Sequence, residues 1–466
     1  MESKAVNQKV GIRLWLVFIL IGLAGQFAWA IENMYLNTYI TYLNFTDPTG
    51  VGFDYSLMIA ITTALSAVVA TLTTIIMGAL IDKVGHKRLF IGFGYIIWGI
   101  ATSAFGLLNV NSSSDLIPIK MAASTAAILV IVLDCVMTFF GSTSNDATFN
   151  SYVTSHTSDN NRGKVEGVLS ILPLIAMLFI FVGLNGLTTK ENGYRWDLFF
   201  YIIGAVVIVV GIVALFLIPK EKEDLKKDPV FKLMLNGFKP STVKSNKKLY
   251  LVFLIYFIYA VACQIYFPYL MVYIERSCGI SNSGSGFLTD FAIVMAVALL
   301  GGSLLSLVIG FLADKFGKDK MIIPTFCILG VGLLLMYFIP SFGASTGKTV
   351  YASIAGLVMI LGYVAVPTIV NALVRQYIPK GEEGSFMGIR MLFVVALPMC
   401  IGPFIGNGFN QAYGESYEGD YSVVGKTPSK FGYLMALAVL VLALIPTYFY
   451  LKEQKKGTKN ENLITK

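Results

Sequence analysis

Three acidic residues, Glu32, Asp134 and Asp146, stand inside long apolar runs. A charged group at the centre of a bilayer costs about 2.5–3.5 kcal/mol on insertion scales, so such residues generally face a cavity and act there. Glu32 and Asp134 fall near the middle of their runs. A carboxyl so placed can exchange a proton as a cavity opens to alternate sides, accept from substrate hydroxyls, or both. Polar side chains recur around them at three- to four-residue spacing, which is one face of a helix. Gln26, Trp29, Asn33 and Asn37 form one stripe, and Asp134, Thr138, Gly141, Ser142 and Asn145 a second. Gln264, Tyr266, Tyr269 and Tyr273 form a third, and Tyr363, Asn371 and Arg375 a fourth. Amides, carboxyls and aromatic faces suit a ligand with a hydroxyl rim and an apolar ring face, as sugars have. Ordinary interhelical hydrogen bonds, worth about 0.6 kcal/mol each, account for the same stripes equally well. Asp146, Asn150, Arg162 and Arg375 sit toward the run ends, where a gating network is expected. Tyr35, Tyr39 and Tyr42 are expected to anchor a helix at the membrane interface.

The elements that must carry these residues are membrane-spanning helices. The chain has 466 residues, 56% hydrophobic and 13% charged, with a mean hydropathy of +0.72. A soluble domain carries about 25% charged residues, so roughly half of that charge is missing. Apolar runs long enough to cross a hydrocarbon core of about 30 Å are expected at 14–42, 55–80, 89–108, 121–149, 165–187 and 196–219. Six more follow at 249–274, 286–312, 321–340, 350–374, 386–409 and 431–451. The expected fold is all-α, with twelve transmembrane helices in two six-helix bundles, 1–219 and 249–466, joined by a cytoplasmic linker, 220–248. The linker piece FKLMLNGFKP reads as a short amphipathic helix on the inner leaflet. Prolines kink helices by removing a backbone bond, and Pro268, Pro398 and Pro403 are placed to bend the seventh and eleventh spans.

Charge gives a test independent of hydropathy. With an even number of spans both termini share a side, and 28 of the 35 lysines and arginines fall on it. Positive loops stay cytoplasmic, so both termini are expected in the cytoplasm of a multi-pass cell-membrane protein. The net charge of +8 is spread over these loops rather than gathered in one patch, which argues against a nucleic-acid partner. The five cysteines are scattered through the apolar runs and form no CxxC pair, and the two histidines lie in loops. No metal site, cofactor or catalytic constellation is expected, and an enzyme is therefore not the expected reading.

The two halves repeat. GALIDKVGHKR (residues 78–88) and GFLADKFGKDK (310–320) share G-x-x-x-D-K-x-G followed by basic residues. On these motifs, the span count and the repeat, the chain resembles the major facilitator superfamily. Gly78, Asp82, Gly85, Lys87 and Arg88 meet its loop pattern in full, whereas the copy with Gly310 and Asp314 departs from it, since Asp319 takes the place of a basic residue. The resemblance implies gating roles for Gly78, Asp82, Arg88, Gly310 and Asp314, with the two glycines allowing close helix approach. It also implies that the first, fourth, seventh and tenth helices line a central cavity. Within the superfamily the chain is most similar to the glycoside–pentoside–hexuronide symporters and sucrose-transporter-like proteins, through GLAGQFAWAIENMYLNTYITYL (22–43), FFGSTSNDATFNSYVT (139–154), NNRGKVEG (160–167) and VNALVRQYIP (370–379). The second helix reads TLTTIIMG (71–78) with no acid, which counts against sodium and leaves the proton as the expected coupling ion. The expected function is coupled uptake of a sugar or glycoside by a monomeric secondary transporter working by alternating access. The alternative is a drug or metabolite exporter of the same superfamily.

Overall fold

The computed structural model describes residues 11–108, 122–157, 159–190, 193–220, 239–280, 282, 289–343, 346–378, 386 and 389–464. Among them twelve helices are long and apolar enough to cross a membrane. In chain order they are α1 (Ile12–Phe45), α2 (Tyr55–Ile81), α3 (Lys87–Leu107), α4 (Ala123–Ser155), α5 (Ile171–Thr188) and α6 (Trp196–Leu217). The second six are α7 (Lys247–Ser277), α8 (Asp290–Ala313), α9 (Lys318–Ser341), α10 (Gly347–Tyr377), α11 (Ile389–Tyr413) and α12 (Phe431–Lys455). Each coincides with one expected apolar run to within several residues. The expected inner-leaflet helix lies outside the described residues except for Lys239 and Pro240.

Contacts group the chain into two compact units. The first holds Met1–Leu36, Leu72–Met121 and Ile128–Asp228, and the second Asn37–Thr71, Ala122–Ala127 and Pro229–Lys466. The far end of α1 and most of α2 thus belong to the same unit as α7–α12.

Inside the first unit α3 and α6 pack backbone to backbone. A Cβ built on Gly99 would stand 2.6 Å from the Gly204 carbonyl oxygen, and one on Gly211 would stand 2.8 Å from the Ile96 nitrogen. Helices in lipid gain no hydrophobic drive from meeting each other, so close van der Waals packing at small residues holds them. The second unit repeats the device. Gly332 and Gly362 seat α9 on α10, each with a Cβ position 2.5 Å from a backbone nitrogen of the other helix, and Gly402 and Gly406 seat α11 on α7. Gly78 and Gly310 behave otherwise. A Cβ on Gly78 would meet no described atom within 4 Å, and one on Gly310 only Thr368 at 3.9 Å. Among the described residues neither glycine has the close approach expected of it. The backbone demand of the repeated motif falls on its second glycine, since Gly85 and Gly317 take φ of +71° and +96°, which side chains disfavour.

Several helices depart from α geometry. π segments interrupt α1 at Ile31–Tyr35, α4 at Ser142–Phe149 and α11 at Leu392–Ala396. α7 breaks into a 3-10 turn at Phe267–Tyr269, around Pro268. In α11 Pro398 stands in the first turn after the π segment, while Pro403 sits inside the following helix. Tyr35, Tyr39 and Tyr42 are buried rather than interfacial. Tyr35 donates to Asn185 Oδ1 at 3.2 Å, and Tyr39 stacks on Tyr42, so helix packing claims all three rings.

Candidate functional site

The first unit holds the two mid-run acids. Glu32 is half-buried within the π segment of α1, and Asp134 is buried on α4. The two residues stand on different helices, α1 and α4, of the same unit. A π segment adds a residue to the turn and redirects the side chains after it, and Glu32 is where α1 makes that change. Trp29 packs on Trp98 at 5.0 Å between centroids. Gly141 admits both indoles, since a Cβ there would stand 2.8 Å from Trp98 and 3.2 Å from Trp29. Thr138 is buried and Gln26 half-buried. Asn33 is exposed and turns its amide back to the Trp29 carbonyl at 2.8 Å.

Asn145 and Asp146 form a separate network on the π segment of α4. Ser142 Oγ donates to Asp146 at 3.2 Å and Asn145 Nδ2 at 3.4 Å. Tyr95 of α3 donates to Asn145 Oδ1 at 2.9 Å and lies 3.0 Å from the Ile21 carbonyl of α1. Gly25 makes room for this meeting of three helices, because a Cβ there would crowd both Asn145 and Tyr95 at 2.8 Å. Among the motif residues, Arg88 is half-buried, with its Nε making no hydrogen bond to a described residue, and Arg375 is exposed at the end of α10. Asp82, Arg162 and Asp314 are helical, and their side chains lie outside what is described.

In the second unit a cavity of about 330 Å³ opens among α7, α10 and α11, lined by Tyr256, Tyr259, Gln264, Tyr363, Thr368 and Asn371 together with apolar neighbours. Three of the expected residues, Gln264, Tyr363 and Asn371, meet there. The Tyr259 hydroxyl donates to the Tyr363 carbonyl, and the Tyr363 ring lies flat on Phe267 at 4.9 Å. Asn371 Nδ2 donates to the Tyr256 hydroxyl at 3.4 Å, and its Oδ1 accepts from Arg390 Nε and Nη2 at 3.2 and 3.0 Å. The sequence reading missed Arg390, counting it as a loop charge. The signal was present, because Arg390 falls inside the expected span 386–409. Asn37 is buried in this unit, and Tyr269 stands apart from the cavity, donating to the carbonyls of Pro403 at 2.8 Å and Ser56 at 3.1 Å.

The ends of α1 and α2 remote from the N-terminus are covered by a hairpin between α11 and α12. Ser416–Glu418 pairs antiparallel with Val424–Lys426. Tyr417 meets Phe45 edge-on at 5.0 Å, and the Arg276 guanidinium lies 4.4 Å from the Phe45 ring centre and 4.5 Å from that of Tyr417. Gly419 and Gly425 let the hairpin rest on Phe45, at 2.5 and 2.8 Å from would-be Cβ atoms. Tyr55 donates to the Lys426 carbonyl at 2.6 Å, Asn410 to Ser56 Oγ at 3.0 Å, and Gln411 to Asp54 at 2.9 Å. Asp319, the departure in the second motif copy, has its own partners: the hydroxyl of Tyr450, a short bond, and Gln454 Nε2 at 3.4 Å, with Tyr377 joining both.

The family model of the Major Facilitator Superfamily matches residues 14–403 and, in a second match, 252–463. The chain belongs to the major facilitator superfamily. It is therefore a multi-pass membrane protein by family. It is 26% identical over 199 residues to the multi-drug resistance efflux pump PmrA of Streptococcus pneumoniae serotype 4, a match covering 42% of this chain and 43% of the pump. The chain thus aligns with less than half the length of that curated relative. A mutant of the nucleoside transporter NupG superposes with a TM-score of 0.65 at 14% identity, over 95% of this chain and 99% of that one. The xylose transporter XylE from E. coli, in a partially occluded inward open conformation, gives 0.64 at 13% identity over 95% and 99%. These likenesses establish the fold.

Proposed function

We propose that this chain is a proton-coupled importer of a sugar or glycoside that works by alternating access. The observation that carries this reading is the make-up of the second-unit cavity. Its lining offers tyrosine rings and hydroxyls, a glutamine, an asparagine and a threonine, with no carboxylate among the described residues that line it. A binding site for a ring with a hydroxyl rim needs apolar faces and a few placed polar groups, and a site for an organic cation would gain from an acid. The acids lie instead in the first unit, where Glu32 and Asp134 are assigned to proton coupling and Asp146, with Asn145 and Tyr95, to a network joining α1, α3 and α4. Both termini are assigned to the cytoplasm, and the chain to a monomer in the cell membrane. The halves 1–219 and 249–466 are assigned as the two moving bundles.

The test is uptake into proteoliposomes of radiolabelled mono- and disaccharides under an inward proton gradient, with and without sodium. Accumulation that collapses with an uncoupler and ignores sodium supports the reading. The likeness to PmrA over 199 residues favours a second reading, an exporter. If no sugar accumulates while ethidium leaves loaded vesicles against its gradient, the exporter reading replaces the first.

A further inference from the structure

We propose that Lys430 and the aromatic cluster around it, where α9 and α11 end and α12 begins in the second unit, bind the headgroup of an anionic phospholipid. The proposal does not depend on which solute the chain carries.

Tyr337 lies near the end of α9, Tyr413 is the last residue of α11, and Phe431 is the first of α12. Their rings form a chain: Tyr413 meets Phe431 at 5.3 Å, and Phe431 meets Tyr337 edge-on at 5.7 Å. Phe409 extends it along α11, 5.8 Å from Tyr413, and Phe338 along α9, 5.0 Å from Tyr337. Tyr413 is 60% exposed and Phe338 49%, so part of the cluster is open. Aromatic residues at span ends sit at the level of the lipid headgroups, ring in the apolar layer and polar tip toward water. Val331, Leu334 and Phe338, at helical spacing on α9, are all exposed. They give an acyl chain an apolar track that ends at this cluster.

Lys430 supplies the charge. It is half-buried, and its ammonium stands 5.4 Å from the Tyr337 ring centre and 5.9 Å from that of Phe431, within the range of a cation–π contact. It forms no ion pair or hydrogen bond with a described residue, and the hydroxyls of Tyr337 and Tyr413 likewise have no hydrogen-bond partner among the described residues. One ammonium and two phenol donors therefore belong to a single cluster. A phosphodiester brings what such a cluster lacks, a negative charge and oxygens that accept charge-assisted bonds. The ring faces that could hold a choline are already turned to Lys430, and no described carboxylate is paired there to receive an ethanolamine. The charge therefore selects a headgroup with net negative charge, and the apolar track beside it selects a lipid over a free phosphate.

The test titrates the full-length protein in detergent with phosphatidylglycerol or phosphatidylcholine and reads bound lipid by native mass spectrometry, with soluble glycerol 3-phosphate as competitor. Phosphatidylglycerol should bind about fivefold more tightly than phosphatidylcholine, the gain from one lysine at an anionic lipid, and glycerol 3-phosphate should not displace it. Lys430→Gln should erase the preference, and Lys430→Arg, which still brings a cation to the phosphate, should keep it. Lys426→Gln is the control. It removes the same charge from the hairpin strand before α12, where Lys426 reaches Ser416 at 3.4 Å, and should leave the preference intact. No preference in the parent, or an unchanged one in Lys430→Gln, overturns the site. An equal loss in Lys430→Gln and Lys426→Gln overturns it too, because attraction to the net charge of the protein then explains the binding. Displacement by glycerol 3-phosphate overturns the lipid assignment. Should Lys430→Gln not fold, Tyr413→Leu decides: loss of the ring and its hydroxyl should weaken phosphatidylglycerol binding about threefold, and an unchanged affinity sinks the proposal.

Discussion

Glu32 and Asp134 are the residues to which we assign proton coupling. Both occupy helix interiors, one at a π segment and one buried. Glu32→Gln and Asp134→Asn should each cut gradient-driven accumulation about tenfold or more, the cost of one functional intramembrane acid, while counterflow exchange persists. Normal accumulation by either variant removes that residue from the coupling role. Asp319 makes a different forecast. It accepts from Tyr450, whose side chain is buried, so Asp319→Lys, which restores the superfamily's basic residue, removes that charge-assisted bond and leaves the hydroxyl to Tyr377 and Gln454. The expected loss is about 1–3 kcal/mol, read as a lower melting temperature in detergent, and a rise would sink the account. Burial pushes the Cys278 thiol up to about 12. Only the thiolate attacks, so a variant keeping Cys278 alone should resist maleimide at pH 8 until unfolded.

At the scale of elements, the helices were legible and their irregularities were not. Run length and hydropathy located all twelve spans, because a bilayer permits little besides a helix that satisfies its own backbone. The 3-10 turn at Phe267–Tyr269 was legible too, through Pro268. The π segments at Ile31–Tyr35 and Ser142–Phe149 carry no proline, and no composition distinguishes them from the helix around them. The hairpin at 416–426 escaped notice because its strands are three residues long and lack an alternating pattern. Arg390 was misjudged for a reason of chemistry: a cation near a span's end was given to water, although a neighbouring helix supplied Asn371 as its partner. Glycine gives the sharpest forecast at this scale. Gly99→Leu would drive a side chain into the Gly204 carbonyl, which now stands 2.6 Å from a Cβ position. Overpacking of this kind costs about 1–3 kcal/mol or more, so the variant should melt earlier, whereas Gly78→Ala, with no described atom near, should not.

For the molecule as a whole, the span count, the repeat and the superfamily followed from sequence because each is repeated many times over, in runs, charges and a motif present twice. What the sequence leaves open is which contacts hold the ends of α1 and α2 remote from the N-terminus within the second unit. There the hairpin, Arg276, Asn410 and Gln411 hold the ends of α1 and α2. Cysteines placed at Ser56 and Asn410, now hydrogen-bonded side chain to side chain, should cross-link under mild oxidation and stop transport until reduced. Transport that continues with the bond formed would show that these ends need not part. The materials of that hold also set its response to the medium. Arg276 lies against two rings, and the other contacts are hydrogen bonds, one of them to the Asp54 carboxylate, with attractions that act at contact range. Dissolved ions weaken forces between separated charges over about 8 Å at physiological strength but leave such contacts nearly untouched. The hold of Arg276 on these two rings should therefore be the same in dilute buffer and in brine.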